Sequence, residues 1–156
     1  MDIKINKVAK KNRKILENLM QLYLHDLSLY FPIDFNSNKG LYEYDLDPYF
    51  DKNYAFFIKS NDDILGFVLI DDNGDNNYEI SEIFVLNNYK CKNIGENAVS
   101  KVFNKFKGNW TIKAVPSSPK AESFWKKTIS KYTKDNYKLL HTGKYDRAEF
   151  YFSNNK

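Results

Sequence analysis

Several features that would point to particular protein classes are scarce in this sequence. It contains one cysteine, Cys91, two histidines, and no apolar run that approaches the length of a membrane-spanning helix. One cysteine can form no intramolecular disulfide, which is typical of a reducing compartment. The N-terminal segment MDIKINKVAKKNRK also lacks the apolar centre of a signal peptide. We therefore expect a soluble, cytoplasmic protein that does not interact with a membrane.

Positive charge is also sparse. The net charge is +4 over 156 residues, and the densest basic cluster, Lys10, Lys11, Arg13 and Lys14, is not an unbroken run. Proteins that bind nucleic acids more often show a strongly basic face or a recognisable motif. A solvated helix face is the simpler interpretation of the cluster. We expect no nucleic-acid partner and no bound metal.

The residues that are present indicate an ordinary globular protein. Hydrophobic residues make up 42% of the chain, charged residues 28% and aromatic residues 17%. This length is enough to bury a sizeable core, and no linker or internal repeat divides the sequence. We predict one domain over residues 1–156.

Hydrophobic periodicity predicts the order of the secondary structure. Residues spaced three or four apart predict amphipathic helices over 16–27, 94–106 and 121–132, with a shorter helix near 46–52. Alternating or β-prone runs predict strands at 3–8, 54–59, 64–70, 78–86, 110–115, 137–141 and 148–152. The region 33–52 is the hardest to assign, because it is both polar and aromatic.

This order predicts an α/β (α+β) fold. The strand–helix–strand unit over 78–115 should form a right-handed parallel crossover, whereas the strands joined by short turns should pair antiparallel. The result would be a mixed, mostly antiparallel twisted sheet with helices on both faces.

The junction between the strand at 78–86 and the following helix predicts an anion site. Lys90, Lys92, Asn93 and Gly95 lie where the helix begins. The first turn of a helix has unpaired N–H groups and a positive dipole end, so it readily holds a phosphate. A glycine there lets the ligand approach the backbone. Solvated charges are the ordinary alternative for the two lysines.

Two motifs resemble the GNAT superfamily of acetyl-CoA-dependent N-acetyltransferases. The segment Lys90-Cys91-Lys92-Asn93-Ile94-Gly95 is similar to the family's Arg/Gln-x-x-Gly-x-Gly/Ala, with Asn93 in place of the first glycine. The segment from Ser118 to Trp125 is similar to its Asn-x-x-Ala-x-x-Phe-Tyr/Trp. Together with SEIFV and GNW, these motifs resemble a bacterial subgroup of predicted acetyltransferases.

The resemblance implies acetyl-CoA as co-substrate and direct attack on its thioester by a small-molecule or peptide amine, in a monomer or homodimer. The backbone N–H of Val85 would face the thioester carbonyl. The implied coenzyme-binding residues are Phe84, Val85, Lys90, Cys91, Lys92, Asn93, Ile94, Gly95, Glu96, Ser118, Ala121, Phe124 and Trp125. The alternative function is a non-catalytic acyl-CoA-binding module.

Glu82 is the first candidate for the base that deprotonates the acceptor amine. In a regular strand it shares a face with Ile80 and Phe84, where desolvation would raise its pKa. Glu79, the second candidate, lies on the opposite face unless the strand is bulged. A structural carboxylate that accepts a hydrogen bond from a tyrosine or a backbone N–H is the alternative interpretation of Glu82.

Two further interpretations concern the acid and the acceptor. Many members of the family protonate the leaving thiolate with a tyrosine, but here Trp125 occupies that position, and an indole N–H is too weak an acid. Water or another tyrosine would then serve, or no acid is needed. The aromatic and acidic residues over 42–54 correspond to the substrate-facing wall of the family, and such a wall would suit a cationic amine. Ordinary loop packing explains them equally well.

Overall fold

The computed structural model of the protein describes residues 1–155. The strands are β1 (Lys4–Lys7), β2 (Phe35–Asn36), β3 (Leu41–Tyr42), β4 (Tyr54–Ser60), β5 (Asp63–Asp72), β6 (Asn77–Val85), β7 (Asn109–Lys113), β8 (Lys138–Thr142) and β9 (Arg147–Ser153). The α-helices are α1 (Arg13–Leu27), α2 (Asp47–Asp51), α3 (Ile94–Lys105) and α4 (Pro119–Thr133). Within the described residues, no helix is long and apolar enough to cross a membrane.

Seven strands form one sheet in the order β1-β4-β5-β6-β7-β9-β8. Every neighbouring pair is antiparallel except β6 and β7, which are parallel and joined by α3. The predicted fold class and central strand–helix–strand crossover are therefore confirmed.

Each face of the sheet carries its own hydrophobic cluster. α3 and α4 cover one face, where Val99, Phe103 and Ile129 pack on Trp110 and Phe150. α1 and α2 cover the other face over β4 and β5, where the apolar residues of α1 meet the strand residues Phe67 and Leu69. The three-and-four spacing of apolar residues in the sequence produces these buried helix stripes. Helices on both faces are as predicted.

The parallel strands β6 and β7 separate soon after they meet. They pair only from Asn77 to Glu79 on β6 and from Asn109 to Thr111 on β7. From Ile80 onward β6 is hydrogen-bonded on its β5 side alone. This separation opens a gap in the middle of the sheet, and it determines where the candidate site lies.

A bulge in β6 changes which residues share a face. Leu69 is opposite Glu82 while its neighbour Ile70 is opposite Ile80, so Ser81 is an extra residue in the strand. Ile80 therefore lies on the α3–α4 side of the sheet, and Glu82 lies on the α1 side with Phe84. The expectation that Ile80 and Glu82 share a face was wrong, because a one-residue insertion reverses the alternation.

The region that was hardest to assign contains a short hairpin. β2 and β3 pair through Phe35 with Tyr42 and Asn36 with Leu41, around a turn that contains Gly40 at a φ of +69°. Two-residue strands produce no detectable alternation, so the sequence did not predict them. The short helix near 46–52 is present as α2. The helix predicted over 16–27 is present as α1, which begins at Arg13 and ends at Leu27.

Candidate active site

A cleft of about 510 Å³ occupies the gap between β6 and β7. It runs from the first turn of α3 past the separated strands to the side of the sheet covered by α1. Its lining residues come from α1, β6, the loop before α3, the first turn of α3, β7, α4 and β9, and from the segments that follow α1 and β7. Of the residues proposed from the sequence, it brings together Glu82, Val85, Lys90, Cys91, Asn93, Ile94, Gly95, Glu96, Ala121, Phe124 and Trp125.

The first turn of α3 forms one end of the cleft. Asn93 precedes the helix in a left-handed conformation, with φ of 60° and ψ of 19°, and no side chain among the described residues caps the helix. Asparagine tolerates this conformation better than other non-glycine residues. The exposed Lys90 flanks the same turn. The result is a helix end whose N–H groups are open to an anion.

The start of α4 contrasts with that of α3. There the Oγ atom of Ser118 accepts a hydrogen bond from the backbone N–H of Ala121 at 3.1 Å. Ser118 is buried and does not line the cleft. Its observed role is that of an N-cap.

Gly95 is closely packed against α4. A Cβ atom built on Gly95 would lie 3.1 Å from Cε1 and 3.2 Å from Cζ of Phe124. A side chain at this position would therefore have to displace the Phe124 ring or enter the cleft. The absence of a side chain keeps the backbone of the first turn accessible.

The backbone N–H of Val85 points into the gap. The N–H of Leu86 donates to the carbonyl of Leu65 at 2.8 Å, and Val85 is opposite Gly66. In an antiparallel ladder the hydrogen-bonded pairs alternate with pairs whose N–H groups point outward. Since Leu86 bonds towards β5, the N–H of Val85 is directed away from β5, where β7 no longer pairs.

Glu82 is held at the other end of the cleft by two tyrosines. The hydroxyl of Tyr23 donates to Oε1 at 2.8 Å, and the hydroxyl of Tyr44 donates to Oε2 at 2.7 Å. Burial raises the pKa of Glu82, and these two hydrogen bonds oppose that shift by stabilising the carboxylate. Burial and the neighbouring carboxylate raise the pKa values of Tyr23 and Tyr44, so both tyrosines remain protonated donors.

A third tyrosine, Tyr49, contacts the bulge at Ser81. The hydroxyl of Tyr49 and the Oγ atom of Ser81 are 2.8 Å apart, and Ser81 also donates to the carbonyl of Leu69 at 3.2 Å. Burial raises the pKa of Tyr49 to about 12. Tyr44 and Tyr49 belong to the aromatic and acidic segment 42–54, so part of that segment lies beside Glu82. In contrast, Tyr54 packs against the cluster on the opposite face of the sheet.

The remaining residues proposed from the sequence lie outside the lining of the cleft. Glu79 sits where β6 and β7 still pair, and the bulge puts it on the same side as Glu82. Its carboxylate lies 3.6 Å from Nζ of Lys113. Phe84 packs between Tyr23 and Phe67 in the core under α1. Lys92 is exposed.

Trp125 and Thr128 face the cleft from successive turns of α4. Trp125 is buried and packs edge-on against Phe124, with ring centroids 5.1 Å apart. The Oγ1 atom of Thr128 is buried without a hydrogen-bond partner within residues 1–155. Buried hydroxyls normally have a partner, so this one could accept or donate a bond to a ligand in the cleft.

The sequence did not indicate Tyr23 or Arg147 as site residues. Tyr23 looked like one more member of the apolar stripe of α1, and only its hydroxyl reaches Glu82. Arg147 begins β9, far along the chain from β6. No local pattern relates it to Glu82, because β9 reaches the cleft through strand order alone.

The sequence matches the model of the family described as "Acetyltransferase (GNAT) family" over residues 16–129. A search of curated proteins found no match. Within residues 1–155, no group of three His, Cys, Asp or Glu side chains is arranged to hold a metal ion.

Solved structures share the fold at low sequence identity. An acetyltransferase from Thermus thermophilus has a TM-score of 0.69 at 12% identity, and the match covers 98% of this chain and 97% of that chain. A Bacillus subtilis acetyltransferase in complex with CoA has a TM-score of 0.60 at 16% identity, covering 97% and 99%. A Vibrio cholerae spermidine N-acetyltransferase in complex with CoA and spermine has a TM-score of 0.64 at 11% identity, covering 97% and 95%.

Proposed function

The chain belongs to the GNAT family of acetyltransferases, and on this premise we propose that it transfers the acetyl group of acetyl-CoA to a primary amine of a small molecule or peptide. The observation that carries the proposal is one continuous cleft that joins the open first turn of α3 to Glu82. An open helix end that could hold a phosphate and a half-buried carboxylate, at opposite ends of one cleft, suit a reaction between an anionic coenzyme and an amine.

The coenzyme would lie along the cleft with its pyrophosphate on the first turn of α3. The N–H groups after Asn93 and the charge of Lys90 would bind the phosphates. The pantetheine arm would pass Phe124 and Trp125, where its amides could satisfy the hydroxyl of Thr128. The fit of the cleft to coenzyme A rests on this unpartnered hydroxyl and on the close packing at Gly95.

The chemistry needs positioning and proton transfer more than a nucleophilic side chain. The acceptor nitrogen would attack the thioester carbonyl while the N–H of Val85 stabilises the oxyanion. An amine with a pKa of about 10 must first lose a proton, and Glu82, directly or through water, would accept it. The carbon–sulfur bond then breaks. A thiol with a pKa of about 8.5 is a good leaving group, so water can protonate it without an acid on Trp125.

Calorimetry with acetyl-CoA, coenzyme A and a mononucleotide tests the binding part. We expect acetyl-CoA and coenzyme A to bind, and Lys90→Ala to weaken both by removing a charge beside the phosphates. Gly95→Arg should abolish binding by filling the cleft beside Phe124. Lys101→Ala, an exposed lysine on α3 outside the cleft, is the matched control. Variants that bind acetyl-CoA like the unchanged protein would exclude a coenzyme site here.

A non-catalytic acyl-CoA-binding module is the second candidate function. The buried Trp125, in place of a tyrosine acid, is the observation that favours it. The two candidates separate by thiol release from acetyl-CoA over a panel of amines. Binding of acetyl-CoA with no thiol release from any amine would support the non-catalytic module.

A further inference from the structure

Arg147 lies on the acceptor side of the cleft. Its neighbours Ala148 and Phe150 are buried against α3 and α4 on the other face of the sheet, so the alternation of β9 directs Arg147 to the face of Glu82. Arg147 lines the same cleft as Glu82 and Tyr23. Its positive charge opposes the rise that burial causes in the pKa values of Glu82 and Tyr23.

The Nε atom of Arg147 is held by a hydrogen bond within the protein, and its terminal nitrogens are available to a ligand. Nε of Arg147 donates to the carbonyl of Ala114 at 2.6 Å. Among residues 1–155, no carboxylate oxygen lies within 4.0 Å of the guanidinium nitrogens. A partly buried arginine held by its Nε atom presents its terminal N–H groups in a fixed direction, which is the geometry that binds a carboxylate in two-point fashion.

The other cations of the cleft have different partners or positions. Lys113 pairs with Glu79 at 3.6 Å, and Lys127 pairs with Glu96 at 3.9 Å. Lys90 and Lys120 lie near the starts of α3 and α4, at the end of the cleft assigned to the coenzyme phosphates. Arg147 is therefore the cation beside Glu82 that lacks an acidic partner within the described chain.

We propose that the acceptor carries a carboxylate close to its amine, as amino acids and small amino carboxylates do. The free N–H groups of Arg147 would bind the carboxylate, and Glu82 would take a proton from the ammonium group. The amine nitrogen then forms a bond to the acetyl carbon, the carbon–sulfur bond breaks, and the thiolate takes a proton to give the N-acetyl acid and coenzyme A. This inference rests on the acetyl transfer proposed above.

The arrangement makes a distinct prediction against polyamines. A polyamine would place a further positive charge near Arg147, and like charges in a partly buried site repel more strongly than in water. An uncharged carboxamide would leave the guanidinium without a full charge partner. Acceptors that differ only in this one group therefore isolate the contribution of Arg147.

The experiment measures thiol release from acetyl-CoA with one acceptor at a time. The acceptors are the common amino acids, β-alanine and 4-aminobutyrate, and the carboxamide of each. Spermidine and simple alkylamines are tested in the same way. We expect kcat/KM for the best acid to exceed that of its carboxamide by about 10-fold or more, as for one charged hydrogen-bonding contact. Arg147→Gln should bring this ratio near one, and Arg147→Lys should restore part of it. Lys138→Gln, which removes an equal charge from the exposed neighbouring strand β8, should leave the ratio unchanged.

The outcomes separate the two levels of the proposal. Carboxamides, alkylamines or spermidine acetylated as well as the acids, or an unchanged ratio in folded Arg147→Gln, would overturn carboxylate recognition and leave acetyl transfer in place. Acetyl-CoA binding without thiol release from any amine would overturn the proposed catalysis, and the acceptor inference with it. Circular dichroism and a thermal melt establish that each variant is folded.

Discussion

At the scale of single residues, Glu82 is the clearest case of opposing effects. Burial disfavours its carboxylate, while Tyr23 and Tyr44 each donate a hydrogen bond to it. The net effect is a pKa above the ordinary value of 4.5. A carboxylate so placed is more basic than that of an exposed glutamate.

Glu82→Gln tests the role of this residue as the base. The unchanged enzyme should lose kcat/KM as the pH falls through the raised pKa of Glu82, because the base becomes protonated. In Glu82→Gln this acidic limb should disappear, and kcat should fall by about 100-fold or more. Glu79→Gln, which alters a carboxylate paired with Lys113 outside the cleft, is the control. A pH–rate profile that Glu82→Gln leaves unchanged would exclude Glu82 as the base.

The same substitution has a second readout in stability. Since the folded-state pKa of Glu82 lies above its unfolded value, its ionisation favours the unfolded state. Its contribution to stability is fully present below the unfolded pKa of 4.5 and is lost as the pH rises through the folded value. The stability of the unchanged protein relative to Glu82→Gln should therefore fall across this window, as measured by urea unfolding at several pH values.

Thr128 provides a test that does not depend on the acceptor. Its buried hydroxyl has no partner among residues 1–155, and removing an unpaired buried hydroxyl should stabilise the free protein by about 1 kcal/mol. Thr128→Val should therefore raise the free energy of unfolding without ligand and weaken acetyl-CoA binding. Urea unfolding and calorimetry measure the two effects. A large loss of stability in Thr128→Val would show that the hydroxyl is satisfied within the protein.

At the scale of elements, the sequence predicts well what depends on local pattern. The helix at α3 and the strand–helix junction follow from the spacing of apolar residues and from the residues around Asn93. The bulge at Ser81 does not follow, because the inserted residue is defined by pairing with β5 and not by the sequence of β6. Because of the bulge, Glu79 lies on the same face as Glu82, and Ile80 lies on the opposite face. Regular alternation along the strand predicts the reverse.

Gly66 shows how closely β5 and β6 approach beside the site. A Cβ atom on Gly66 would lie 1.9 Å from the carbonyl oxygen of Phe84, which is backbone and cannot rotate away. Gly66→Ala should cost about 3 kcal/mol of stability and weaken acetyl-CoA binding, because the strand that carries Val85 must move. Gly143→Ala, at a φ of +78° with nothing within 4 Å, should cost only about 1 kcal/mol. Similar losses in urea unfolding for the two variants would contradict the close approach.

At the scale of the whole molecule, the sheet consists of two units, β1-β4-β5-β6 and β7-β9-β8, which meet where β6 pairs with β7. Three residues on each of these strands hold the units together, and the remainder of β6 borders the cleft. The order of elements in the sequence predicts this topology. The residues that meet across the gap were harder to predict, because Tyr23, Glu82 and Arg147 come from three distant segments and only the completed sheet brings them together.

A ligand that fills the gap should therefore stabilise the whole fold. A ligand that binds only the native state, at a free concentration 100 times its dissociation constant, raises the free energy of unfolding by about 2.7 kcal/mol. For a chain of this size, that raises Tm by about 5–10 °C. Acetyl-CoA and coenzyme A should both give this shift, whereas a mononucleotide, which reaches only the α3 end, should give less. Gly95→Arg should abolish the shift, since its side chain must enter the cleft or displace Phe124. A mononucleotide shift as large as that of coenzyme A would mean that the pantetheine arm makes no contact with α4, and the path past Thr128 would have to be abandoned.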